Sequence, residues 1–123
     1  MGNKGFKDLK VWQKAKDLAV LIYEISEDGK FGRDFGLRDQ MRRSSVSIPS
    51  NIAEGDERDT DKESVRFFHI AKGSLAELIT QVQIAYEIGH LPKSQYESIE
   101  HDCEELGRMI GKLIKVRRSR SEV

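Results

Sequence analysis

Four stretches of the chain set apolar residues at alternating steps of three and four, and that rhythm excludes most folds before any other property is weighed. Val11, Ala15, Leu18, Ile22 and Ile25 form the first. At 3.6 residues per turn they line one face of a helix. With Asp8 as N-cap and Asp28-Gly29 as the stop, the spacing predicts a helix over 9–27. The second stretch carries Leu37, Met41, Ser45, Ile48 and Ile52 between Asp34 and a stop expected at Gly55. Pro49 falls inside it and removes the hydrogen bond to the Ser45 carbonyl. The apolar phase continues through the proline without a slip, so one kinked helix over 34–54 is expected. Ser44, Ser45 and Ser47 beside the kink are small enough to admit a close neighbour.

Thr60-Asp61-Lys62-Glu63 has the form of a capping box and opens a third stripe, Phe68, Ala71, Leu75, Leu78, Val82 and Ala85, which Gly89 ends. After Pro92 the fourth follows with Tyr96, Ile99, Cys103, Leu106, Ile110 and Leu113. These predict helices over 61–89 and 93–116. No strand alternation competes. Connections of a few residues force neighbouring helices to run in opposite directions. The expected fold is therefore all-α, an antiparallel up-down-up-down four-helix bundle forming a single domain over 1–123, with 1–7 and 117–123 as flexible ends.

Several classes of function fall away on composition. The longest apolar run, Leu18 to Tyr23, is far short of the roughly 18 residues a membrane span needs. The charged start Met1-Gly2-Asn3-Lys4 and the single cysteine point to a cytoplasmic protein without an intrachain disulfide. Position 6 is Phe6 where myristoylation would want Ser or Thr. Glu87-Ile88-Gly89-His90 matches the spacing of a di-iron bundle once, at a helix end with glycine inside it. His69 has no carboxylate in its own turn, and Cys103 sits in an apolar stripe. Asp56, Asp59, Asp61 and Glu63 lack the central glycine of a calcium loop. No catalytic residue, metal, cofactor or small-molecule substrate is expected.

The basic residues are the remaining candidates. Lys plus Arg balance Asp plus Glu at 21 each, so no global field attracts polyanions and any nucleic-acid site is a local patch. Lys112, Lys115, Arg117, Arg118 and Arg120 form such a patch with no acid among them. Lys4, Lys7, Lys10, Lys14 and Lys16 fall at the same end of an up-down-up-down bundle. So does the loop from Glu54 to Glu63, with six acids against two bases. Two readings stay open: an RNA-binding patch, or an end whose charges balance internally. On the second helix, Arg42 and Arg43 are further nucleic-acid candidates, and Arg38 is assigned to an interface between subunits. The third helix carries Phe67, Ile70, Ile79, Ile84, Tyr86 and Ile88 outside its main stripe. That excess predicts a homo-oligomer, with Phe67, Ile70, Ile84 and Ile88 at its interface.

The second helix is also the least generic part of the chain. Phe35-Gly36-Leu37, followed by Gln40-Met41-Arg42-Arg43-Ser44-Ser45-Val46-Ser47-Ile48-Pro49-Ser50-Asn51-Ile52-Ala53-Glu54-Gly55, resembles the signature of the bacterial four-helix-bundle family encoded in intervening sequences of 23S ribosomal RNA genes. Phe6, Leu9, Val11-Trp12, Ala15, Ala71-Lys72-Gly73-Ser74-Leu75, Glu77-Leu78, the stretch from Ala85 to Leu91, and Tyr96 agree with it. The likeness spans roughly positions 6 to 115. It implies a homopentameric bundle associated with ribosomal RNA, with no defined biochemical activity. The chain is more distantly similar to the accessory proteins of diversity-generating retroelements. That likeness implies pentameric barrels that engage nucleic acid and a reverse transcriptase. Those relatives are strongly basic, whereas this chain is neutral. Two functions follow: an oligomeric scaffold that binds ribosomal RNA or a nucleoprotein through repeated basic patches, or a scaffold for protein partners alone.

Overall fold

The computed structural model describes residues 5–121, and every regular element among them is helical. A 3-10 turn over Gly5–Asp8 leads into α1 (Lys10–Ile25), α2 (Gly29–Arg33), α3 (Phe35–Asp56), α4 (Asp61–Glu87) and α5 (Lys93–Ser121). Residues 117–121, expected as part of a flexible end, form the last turn of α5. The expectation for 1–4 and 122–123 lies outside the described residues.

Each predicted stripe reaches the core. Ala15, Ile22, Met41, Ile48, Ile52, Phe68, Leu78, Ile99, Leu106 and Ile110 are fully buried in one cluster. Burial of such side chains contributes about 1.5–3 kcal/mol each and is what holds helices of this length together in water. On α3 and α4, Ser44 Oγ donates to Gln81 Oε1 at 2.6 Å, the Ser47 and Ser74 hydroxyls lie 2.9 Å apart, and Gly55 meets Phe68. Contacts that descend one helix while ascending the other mean that these two run in opposite directions. Leu75 against Gly107 and His69 against Arg118 give the same order for α4 and α5. The α1–α5 contact is sparser than those of α3 with α4, α4 with α5, or α1 with α3. Lys14 spans it, reaching Asp102 at 3.4 Å and Glu105 at 3.6 Å.

Four local expectations need correction. Asp8 closes the 3-10 turn, and Leu9, without a side-chain bond, holds the cap position of α1. The stop at Asp28-Gly29 is followed by a fifth helix, α2, held by Phe31, which is 3% exposed. Gly55 does not end α3. It lies inside the helix, where a Cβ would come within 2.5 Å of the Phe68 ring, so its role is to let α4 approach. The capping box is half formed: Thr60 Oγ accepts from the Glu63 N–H at 3.2 Å, while the Glu63 carboxylate pairs with Arg66.

Two other caps follow the expected chemistry. Asp34 accepts from the Leu37 N–H at 3.3 Å and opens α3. Gly89, at φ +85°, ends α4, with its N–H on the Tyr86 carbonyl and that of His90 on the Ala85 carbonyl. This is the paired bonding of a Schellman motif. It aims His90 at Phe31, on which its ring stacks at 5.1 Å, and at Asp34, 2.9 Å away.

Candidate nucleic-acid interface

From Leu106 to Ser121 the chain contains no acid, and helical geometry divides the cations of this stretch between two directions. Arg117 continues the buried line of Cys103, Leu106, Ile110 and Ile114 and points inward. Its guanidinium lies 5.4 Å from the Phe68 ring centroid and donates to Asp56 Oδ1 at 2.6 Å. Arg120 reaches Asp61 at 3.4 Å. Both partners belong to the acidic segment around the α3–α4 connection, so two of the five tail cations are paired within the chain.

Lys115 and Arg118 turn the other way. With Ser119, Gly111 and Ile114 they line one wall of a groove of about 370 Å³ whose opposite wall is His69 and Lys72 of α4. No carboxylate lines it among the described residues. Arg118 Nη2 donates to His69 Nε2 at 2.9 Å. The side chains of Lys72 and Lys115 are exposed and make no ion pair or hydrogen bond among the described residues. Lys112, also exposed, lies one turn before Lys115 and shares a shallow apolar concavity with it and Val116. Three cations and an imidazole thus converge on one open trough, although the chain as a whole is neutral.

The other candidates are placed differently. Arg42 serves the end of α1: it donates to Ser26 Oγ at 2.9 Å and to the Tyr23 carbonyl at 3.2 Å, stacks on the Tyr23 ring, and lies 3.5 Å from Glu27. Arg43 is exposed at a polar groove between α3 and α4 lined by Gln40, Ser44, Ser47, Ser74, Glu77 and Gln81. Arg38 donates to the Gly32 carbonyl and to Asp39 and lies over Phe35, all within the chain. Phe67 is half-buried between the guanidiniums of Arg58 and Arg66, at 4.4 and 4.6 Å. Ile70 and Ile84 on α4 and Ile88 at its C-cap remain 42–53% exposed. Of the N-terminal lysines, Lys14 is held by Asp102 and Glu105, Lys16 pairs with Asp17, and Lys4 lies outside the described residues.

Sequence reasoning missed Lys72 and His69 as members of the basic groove. The available signal was their register on α4: both lie on the outer flank of the Phe68–Ala71–Leu75 stripe, level with the basic half of α5.

Three titratable groups away from the groove are shifted by their surroundings. Burial pushes the Cys103 thiol up to about 12, which leaves it protonated and inert. The hydrogen bond to Glu100 raises Tyr96, also to about 12. Bonds from His90 and from the Leu37 N–H hold Asp34 below the ordinary carboxylate value. Among the described residues, no three His, Cys, Asp or Glu side chains gather as metal ligands, and no helix is long and apolar enough to cross a membrane.

The class these features define is an all-α helical bundle with a local cationic groove. Its sequence matches the profile of the 23S rRNA-intervening sequence proteins over residues 7–112, and the chain belongs to that family. It is similar in structure to a protein of unknown function from the S23 ribosomal protein family of Bacteroides thetaiotaomicron. That likeness has a TM-score of 0.79 at 24% identity and covers 85% of this chain and 95% of that one. At this identity the likeness shows the fold. No curated protein matches the chain.

Proposed function

We propose that the protein is a non-enzymatic, self-associating scaffold of the cytoplasm that engages ribosomal RNA, or a nucleoprotein containing it, through basic grooves repeated around an oligomer. The observation that carries this reading is the groove of Lys72, Lys115 and Arg118, free of lining carboxylate among the described residues on a chain of zero net charge. Phosphates bound by cations gathered in one place release condensed counterions, and that release favours binding and makes it salt-dependent. In this reading the helices form an up-down-up-down four-helix bundle with a bend at Pro49. The exposed Ile70, Ile84 and Ile88 join subunits, and the family likeness supports a ring of five. Five copies of a weak contact multiply into useful avidity. No cofactor or small-molecule substrate takes part.

A second reading, a scaffold for protein partners alone, draws on the pairs Arg117–Asp56 and Arg120–Asp61, which remove two cations from any RNA surface. Retention of ribosomal RNA by the purified protein at low salt, lost steeply as salt rises, is the result the first reading expects. Absence of retention at low salt selects the second.

A further inference from the structure

The hydrogen bond between Arg118 and His69 constrains the protonation of the groove. Arginine carries only donors, so the 2.9 Å bond to Nε2 requires His69 to offer a lone pair there and therefore to be neutral. The groups that line the groove with it are Lys72 from its own helix and Lys115, Arg118 and Ser119 from α5. Among the described residues no carboxylate lines the groove. Protonating His69 in the empty groove would break the bond and add one more positive charge to the cations already there. An arriving oxyanion reverses both penalties. It accepts from the imidazolium Nε2–H, releases the Arg118 guanidinium to a second oxygen, and is flanked by the two lysine ammoniums.

Resting on the RNA-binding reading, we propose that the α4–α5 groove is a proton-linked phosphate site, in which His69 takes up a proton as an RNA backbone phosphate is bound by Lys72, Lys115 and Arg118. A tetrahedral phosphate suits donors arriving from both walls of the trough better than a planar carboxylate does. No covalent step is involved. The proton comes from solvent, so by linkage the affinity for RNA rises as the pH falls through the histidine range.

The test is fluorescence anisotropy with a labelled single-stranded RNA oligonucleotide at low salt, at pH about 5.5 and about 8, on either side of histidine's ordinary value. The parent should bind about three- to tenfold tighter at the lower pH. The double variant Lys72→Gln/Lys115→Gln should lose about tenfold or more at both pH values. His69→Gln, which can still accept from Arg118 but cannot titrate, should flatten the ratio between them. His101→Gln, an exposed histidine elsewhere on α5, should leave the ratio intact. Because all four side chains are exposed, circular dichroism should show every variant folded.

The negative outcomes separate the two claims. A parent that binds no RNA at either pH overturns both the site and the RNA reading beneath it. RNA binding that the lysine double variant does not weaken overturns the site alone. A pH ratio that survives in His69→Gln overturns the proton linkage. Displacement of RNA by polyglutamate at matched charge concentration, as effective as by unlabelled RNA, would reassign the groove to an acidic protein partner.

Discussion

Arg117, in the last turns of α5, donates to Asp56 at the end of α3 across 2.6 Å, with the two side chains only 13% and 17% exposed. The guanidinium also covers the face of Phe68. An ion pair this shielded is costly to break on one side, because the survivor keeps its desolvation penalty without its partner. Arg117→Gln should therefore cost about 1–3 kcal/mol in urea unfolding. Lys115→Gln, whose side chain is exposed and makes no ion pair among the described residues, should stay within about 0.5 kcal/mol of the parent. Equal effects of the two would mean that Arg117 is a surface charge like its neighbours.

Glycine at two positions of the long helices should respond to alanine with opposite signs. At Gly55 the new methyl meets Phe68 at 2.5 Å, so Gly55→Ala should destabilise by about 1–3 kcal/mol. At Gly73 nothing lies within 4 Å, and Gly73→Ala should stabilise by about 0.5–1 kcal/mol through helix propensity alone. Paired thermal melts of the two variants measure this directly.

Asp34 ties the start of α3 to His90 at the end of α4, and its carboxyl is held below the ordinary value of 3.8. A depressed folded-state pKa gives stability that is complete above 3.8 and is lost as the pH falls through the lower folded value. Asp34→Asn should lower the melting temperature near neutrality and flatten its decline on the acid side. A decline as steep as the parent's would assign the acid sensitivity to other carboxylates.

Ile84 and Ile88 are 46% and 53% exposed, so charging them costs the isolated subunit little. Ile84→Glu should shift light scattering toward the monomer while helix content and the unfolding midpoint of the monomer are retained. Phe67→Ala should do the same less completely, since that ring is half-buried between Arg58 and Arg66. A parent that is already monomeric at micromolar concentration would rule out the self-association reading.

The long helices were legible because each repeats its apolar signal over four or more turns. Helix α2 was not. Its five residues, Gly29 to Arg33, are too few to show a period, and only Phe31 among them is a large buried side chain. Gly55 looked like a terminator because glycine at a helix end and glycine at a helix crossing are the same letter; only the position of Phe68 separates them. The tail cations were visible, but their division was not. Which way Arg117 and Lys115 face follows from the helix, whereas what they meet depends on how α3 and α4 pack. Lys72 and His69 join Lys115 and Arg118 only through the pairing of α4 with α5, so their register on α4 becomes a signal only once the two helices are set side by side.

The sparse α1–α5 contact bears on how the molecule comes together and apart. α3 with α4 and α4 with α5 are neighbours in sequence, so their contacts close short loops and form early. The bridge from Lys14 to Asp102 spans 88 residues and depends on both hairpins already standing. Because α1 also packs on α3, which is near it in sequence, it is the α1–α5 seam that closes last and opens first. Amide protons of α1 should exchange with solvent through partial openings that leave the heart of α4 protected.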